Sequence, residues 1–309
     1  MLKIIFFGTP EFAVTTLDKI HTSGHDVCAV VTTPDKPAGR GKKIQMSPVK
    51  KYAGEKNIAV LQPENLKDEQ FTNALKKFEA DLFVVVAFRK LPKTVWSLPP
   101  KGTINLHASL LPDYRGAAPI NHVILNGESK SGVTTFFIND KIDTGDILLK
   151  KEVALTAKET AGTLHDKLMH LGADLLIETI SGIENQSLKA SSQKEVDSIK
   201  KAPKIFRDDC KINWSDDIIN IERKIRGLSP YPGAFTYFSG KVLKIYAADL
   251  QTENHDFPYG TALTEGGELK VYGNGGILFI KELQPEGKKR MDIKSWLAGN
   301  RFEGKVAFE

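Results

Sequence analysis

The chain has 309 residues, 41% of them hydrophobic and 26% charged, with a formal net charge of +5. That length suits two domains, and the composition excludes a disordered, collagen-like or coiled-coil chain. The longest apolar run, residues 82–88, falls far short of the roughly 20 residues of a membrane span, no secretory h-region precedes Gly8, and two cysteines make no disulfide framework, so a cytoplasmic protein is expected.

A strand over residues 3–7, a helix over 11–23 and a strand over 27–31 open the chain as a βαβ unit. In the turn between the first two, Thr9 suits an N-cap and Pro10 the first helical position. Residues 34–51 then carry six basic side chains against Asp35 alone, as much excess charge as the whole chain. Taken alone, that stretch reads as a solvated loop. Short buried strands follow near 58–61, 82–86, 102–106, 133–138 and 147–153, separated by helical segments near 69–78 and 119–126. Ala161, Leu164, Leu168, Leu171, Leu175, Ile180 and Ile183 mark one face of a long helix over 160–183. Thr156 with Glu159 signals its start as a capping box, and Gly182 signals its end. Residues 184–204 are polar and read as a linker. Beyond them come a helix near 216–226 and strands near 234–238, 242–248, 260–264, 269–271 and 277–283, a small, mainly β domain that pattern alone fits either to a Greek-key barrel of the oligonucleotide-binding type or to an SH3-like barrel. The expected division is therefore 1–183, linker 184–204, and 205–309.

Familiar motifs are missing. Gly8-Thr9-Pro10-Glu11 lacks the later glycines of a dinucleotide fingerprint, and Gly39-Arg40-Gly41-Lys42-Lys43 lacks the spacing and hydroxyl of a phosphate loop. His165 and His170 have no metal-ligand spacing, so no metal is expected.

Asn105 and His107 stand two apart at a strand end and so project to one face. By themselves they read rather as a strand end that faces water or hydrogen-bonds the next loop. The cluster Asn139-Asp140-Lys141-Ile142-Asp143-Thr144-Gly145-Asp146 follows the next strand and brings a carboxylate toward the same sheet edge, though spacing leaves its three aspartates equivalent. An amide and an imidazolium offer two hydrogen bonds to a developing oxyanion, and an aspartate beside them accepts a proton from an attacking amine. There is no Gly-x-Ser-x-Gly elbow, so direct transfer is favoured over a covalent acyl-enzyme.

Asn105-Leu106-His107, Ser109-Leu110-Leu111-Pro112 and Ile142-Asp143-Thr144-Gly145-Asp146 resemble the folate-dependent formyltransferase family. Gly8–Ala13, Pro34–Lys43, Arg115–Ile120 and Gln284–Lys289 extend the resemblance, in order, toward its members that act on charged tRNA. The resemblance implies an α/β, Rossmann-like catalytic domain with a C-terminal OB-like β-barrel. It implies transfer of the formyl group of 10-formyltetrahydrofolate to the amino group of methionine on initiator tRNA, without metal and by a monomer. Asn105 and His107 would hold the oxyanion, and Asp143 would keep His107 charged and assist proton removal. Ser109, Leu110, Leu111 and Pro112 would line the folate site, and Arg40, Lys42 and Lys43 would reach the tRNA acceptor arm, a salt-sensitive contact. Lys288, Lys289 and Arg290 read either as a further backbone contact or as a solvated turn. One segment departs from the pattern: after Val84-Val85-Val86 the family commonly reads Ala-Tyr-Gly, whereas this chain reads Ala87-Phe88-Arg89-Lys90-Leu91-Pro92. Within the family the alternative acceptor is another amine, such as an amino-sugar nucleotide. Outside it, the alternative is a catalytically silent RNA-binding module.

Overall fold

The computed structural model describes residues 1–38, 43–193, 198–300 and 304–309. Its contacts divide the chain into two units, one of residues 1–116, 130–154 and 165–201, the other of residues 117–129, 155–164 and 202–309. No helix among the described residues is long and apolar enough to cross a membrane.

In chain order the elements up to the first hundred residues are β1 (Lys3–Gly8), α1 (Glu11–Thr22), β2 (Asp26–Val31), β3 (Lys36–Ala38), β4 (Lys43–Gln45), α2 (Pro48–Glu55), β5 (Ala59–Leu61), α3 (Glu69–Lys76), β6 (Leu82–Val86) and α4 (Lys93–Trp96). There follow β7 (Thr103–His107), β8 (Arg115–Gly116), α5 (Pro119–Leu125), β9 (Lys130–Phe137), β10 (Ile147–Ala154) and α6 (Ala161–Glu184). The main sheet runs β10-β9-β7-β6-β1-β2-β5. Its five strands β7, β6, β1, β2 and β5 are parallel, and β9 and β10 continue it antiparallel. Parallel strands covered on both faces need apolar residues at every position. Accordingly all five residues of β6 are buried. Phe7, Phe83, Val85, Leu91 and Val95 pack together on one side, while on the other α6 comes close to β7, where a Cβ on Gly172 would lie 2.8 Å from Leu106.

Several local signals resolve differently from the sequence expectation. Pro10, not Thr9, is the N-cap of α1: its ψ of 177° is extended and its side chain caps nothing, while its carbonyl accepts the N–H of Ala13 at 2.9 Å. Thr156 and Glu159 do bond each other, at 3.3 and 3.4 Å, but one turn ahead of α6. The reciprocal cap belongs to Thr160 and Thr163, each hydroxyl taking the other's N–H at 3.1 and 3.0 Å. Gly182 lies inside α6, which runs on to Glu184. It is small because a Cβ there would meet Leu188 at 2.4 Å, and the left-handed residue that ends the helix is Gln186, at φ 55°.

Part of the basic stretch lies among the described residues. β3 and β4 form a short hairpin, and Ser47 then accepts the Lys50 N–H and caps α2, with Pro48 at its first turn, the arrangement that a serine and a proline favour at a helix start. Asp35 anchors this segment through Lys50 Nζ at 2.6 Å and Gln62 Nε2 at 2.8 Å.

After β11 (Lys201–Ala202), the second unit holds α7 (Ile218–Gly227), β12 (Ala234–Phe238), β13 (Lys241–Thr252), β14 (Thr261–Glu265), β15 (Glu268–Gly273), β16 (Gly276–Pro285), β17 (Met291–Asp292), α8 (Ile293–Gly299) and β18 (Val306–Ala307). Its sheet runs β12-β13-β16-β15-β14-β18 with antiparallel neighbours. Past β18, Glu309 exchanges both backbone hydrogen bonds with Tyr237 of β12, at 2.8 and 3.0 Å. The last strand therefore returns to the first and the sheet closes as a barrel. Ile218, Ile221 and Ile225 of α7 join the barrel core with Trp214, Phe235, Leu243, Ile245 and Leu278.

Candidate active site

The site grows from the carboxyl end of β7, where ligands of open α/β sheets collect. Side chains alternate along a strand, so Leu106, which meets α6, leaves Asn105 and His107 on the opposite face. β7 is held in register by β6 on one side and β9 on the other, with Asn105 opposite Val85 and Phe136 and His107 opposite Thr134. Asn105 is half-buried, and among the described residues no hydrogen bond engages its side-chain amide.

His107 is buried, and its two nitrogens face different groups. Nε2 lies 2.9 Å from the carbonyl oxygen of Tyr114, which only accepts, so Nε2 carries a proton. Nδ1 lies 3.8 Å from Asp143 Oδ2, ion-pair range rather than a hydrogen bond. Asp140 and Asp146 are exposed, so of the three aspartates that spacing left equivalent, Asp143 alone approaches the imidazole. Asp143 sits at φ 55°, and its Oδ2 accepts the Gly116 N–H at 3.0 Å. The loop closes on itself at Gly145, where a Cβ would lie 1.6 Å from the Phe137 carbonyl oxygen. No other residue fits there.

Residues 109–114 form a turn pinned from four sides. Ser109 Oγ donates to the Asp113 carbonyl at 2.7 Å. Thr134, fully buried on β9, accepts the Leu111 N–H at 3.1 Å and donates to the Ser109 carbonyl at 2.7 Å. Lys150 Nζ donates to the Leu111 carbonyl; desolvation draws its ammonium below the ordinary lysine range, against an opposing pull from Asp113. The backbone of Lys200 bonds Asp113 and Tyr114. The Leu111–Pro112 bond is cis. Ser109 and Leu111 have no exposed surface, and Leu111 packs with Phe136 and Ile147, so these two side chains build the turn, while Leu110 and Pro112 are half-exposed.

Arg40 and Lys42 lie outside the described residues, as does the side chain of Lys43. Beside that stretch Ile44 and Met46 are exposed by 74% and 61%. Arg290 is engaged by the Glu282 carboxylate and by the Tyr246 ring, 4.4 Å from its centroid. In the segment that departs from the family pattern, Arg89 donates to the Pro63 and Glu64 carbonyls at 2.8 and 3.0 Å, so its guanidinium closes the connection after β5. Thr134, Lys150, Tyr114 and Gln193 escaped the sequence reading. Two hydroxyls inside the apolar run Val133-Thr134-Thr135-Phe136 were a visible signal for the first; Gln193, in a polar stretch, gave none.

Comparison with known proteins adds to this geometry. Residues 2–180 match the model of the family described as Formyl transferase, and residues 204–301 match that of the Formyl transferase C-terminal domain. Methionyl-tRNA formyltransferase of Flavobacterium johnsoniae is 50% identical over 311 residues, covering 99% of each chain. The protein of that name from Bacteroides thetaiotaomicron is 45% identical over 310 residues, 97% of this chain and 96% of the relative. Among solved structures, the N-formyltransferase of Helicobacter canadensis in complex with folinic acid and dTDP-3-aminofucose superposes with a TM-score of 0.65 at 23% identity, over 92% of this chain and 100% of that one. HypX of Aquifex aeolicus in complex with tetrahydrofolic acid superposes with a TM-score of 0.67 at 17% identity, over 99% of this chain and 50% of that one. Both likenesses show the shared fold.

Proposed function

Since the chain belongs to the formyl transferase family, we propose that it carries the formyl group of 10-formyltetrahydrofolate to the α-amino group of methionine esterified to initiator tRNA, a cytoplasmic reaction of translation initiation. The observation that carries the reading is His107 set between the Tyr114 carbonyl and the Asp143 carboxylate, with the amide of Asn105 two residues away on the same face. The near-complete match to relatives named for tRNA supports that acceptor.

The donor supplies an activated formyl carbon, and the chain's own residues manage charge and protons. As the neutral amine forms its bond to the formyl carbon, the carbonyl oxygen becomes an oxyanion. Asn105 donates one hydrogen bond to it from Nδ2. His107 donates the other from Nδ1, because its Nε2–H is committed to Tyr114. Such donors, already aimed where charge develops, act without reorganising. Asp143 receives the proton leaving the new ammonium, directly or through a water. The carbon–nitrogen bond of the donor then breaks, its electron pair stays on N10, which takes up the proton that Asp143 held, directly or through the same water, and tetrahydrofolate and the formamide leave. A free α-amino group titrates at about 7.7–8.0, so enough of it is neutral near physiological pH. Ser109–Pro112 forms the wall of the donor site, and Arg40, Lys42 and Lys43 contact the acceptor arm.

Formyl transfer to methionine-charged initiator tRNA, run beside charged elongator tRNA and a nucleotide-linked amino sugar, tests the reading. Product on initiator tRNA alone is expected, with His107→Ala and Asp143→Ala lowering kcat far more than tRNA affinity. Product on the amino sugar alone would move the acceptor to the alternative within the family. For the basic loop, Arg40→Ala should flatten the salt dependence of tRNA use by about one unit of slope; an unchanged slope would return that loop to a solvated role.

A further inference from the structure

We infer that Gln193 is a positioning residue for formyl transfer, holding the loop that bears Asp143; the inference rests on the role just proposed for that aspartate. Nε2 of Gln193 donates to the carbonyls of Asp143 and Gly145 at 2.9 and 2.8 Å. Its Oε1 accepts from Arg115 Nε at 3.1 Å and from Nη2 of the same guanidinium. An amide has two N–H donors and one oxygen with two lone pairs, so every hydrogen-bonding position of this side chain is used. That fixes its orientation, since a flip would set the oxygen against two carbonyls and the NH2 against a guanidinium.

The contacts close a ring. Arg115 precedes Gly116, whose N–H holds the Asp143 carboxylate, and Gln193 joins Arg115 to the backbone of the same aspartate. Asp143 is thus held at its carbonyl by Gln193 and at its carboxylate by Gly116. The loop needs such support. Asp143 adopts a left-handed conformation uncommon for any residue but glycine, and the side-chain bonds of Asn139 and Thr144 stay within the loop. Gln193 touches no reacting atom and acts through Asp143. Its effect is geometric: displacement of a catalytic group by about 1 Å costs on the order of 100-fold in rate.

The test uses the full chain with Gln193→Ala, Gln193→Met and Gln193→Glu. Methionine fills the same space without donors. Glutamate keeps an acceptor for Arg115, which preserves the fold, but offers the two carbonyls no N–H. All three should lower kcat about 10- to 100-fold with KM for both substrates within about threefold. The NMR resonance of the Gly116 amide reads the carboxylate itself, and in each variant it should move from the wild-type position toward that seen in Asp143→Ala. Recovery of kcat by methionine or glutamate, or a Gly116 amide that stays in place, would overturn the inference. Should the wild-type protein formylate no amine, the functional reading falls and the Gly116 amide alone decides: shifted in Gln193→Ala it upholds the clamp, unshifted it overturns it.

Discussion

Replacing Thr134 with valine tests how the turn of residues 109–114 is held. Valine has the shape of threonine, so the change deletes one hydroxyl in a site without exposed surface. That hydroxyl serves two backbone groups, the N–H of Leu111 at 3.1 Å and the carbonyl of Ser109 at 2.7 Å. A buried polar group left without a partner costs about 1–3 kcal/mol, so the two together set a range of about 2–6 kcal/mol. Relaxation of the turn places the expected loss near the lower end, about 2–3 kcal/mol. Thr134→Ser is the control: it keeps the hydroxyl and loses one methyl group, worth about 1 kcal/mol. Urea unfolding of the three proteins followed by tryptophan fluorescence gives the stabilities, and steady-state kinetics with varied formyl donor gives KM, expected to rise about tenfold for valine and less than twofold for serine. A valine loss below about 0.5 kcal/mol, or a serine variant as impaired as valine, would refute the account of the turn.

Asp143→Asn retains an oxygen for the Gly116 N–H but removes the charge and the proton acceptor, so kcat should fall about 10²- to 10⁴-fold while the melting temperature stays within a few degrees; kcat within threefold of wild type would remove Asp143 from proton transfer. Gly145→Ala places a methyl group where the Phe137 carbonyl oxygen lies, and a loss of about 1–3 kcal/mol with collapse of kcat is expected, checked by denaturation and turnover side by side. Asp35 has its carboxyl held below the ordinary value of 3.8, first by the hydrogen bond from Lys50 and then by that from Gln62. A depressed carboxylate contributes stability above its unfolded pKa and loses it as pH falls toward the folded one. Unfolding midpoints measured between pH 6 and 3 should therefore fall less steeply in Asp35→Asn than in wild type, and parallel curves would count against the pairing.

The parallel sheet was legible because burial on both faces demands unbroken apolar runs such as residues 82–86, and α6 because its apolar stripe is long. Local punctuation was harder. Gly182 reads as a helix terminus from sequence, since glycine serves both as a cap and as a point of close approach, and only the position of Leu188 separates the two. The hairpin of β3 and β4 and helix α2 were hidden by the charge of residues 34–51, although Ser47-Pro48 was a usable start signal. In the site, strand alternation put Asn105 and His107 on one face, but the pair alone read as an ordinary strand end and only the family resemblance singled it out. The choice of Asp143 over its two neighbours came from family resemblance, and its physical cause, a left-handed backbone and a bond from Gly116, is invisible in spacing. Gln193 is 50 residues along the chain from the loop it holds, and no local pattern encodes such a contact.

The closure of the barrel bears on how this chain is made. On β12 the Phe235 carbonyl is already taken by the Ile212 N–H, but Tyr237 and the outer edge of β14 present unpaired N–H and C=O groups until residues 306–309 arrive to bridge them, and open strand edges are templates for pairing with other chains. Glu309 lies 73 positions beyond Thr236, whose hydroxyl donates to its carbonyl, while Val306 and Ala307 pair with Ala262 and Thr261 of β14. During synthesis the second unit thus has a vulnerable interval in which all but one stave of the barrel exists. Chains truncated before residue 306 would be the ones to aggregate or recruit chaperones, and restoring residues 306–309 would end that exposure.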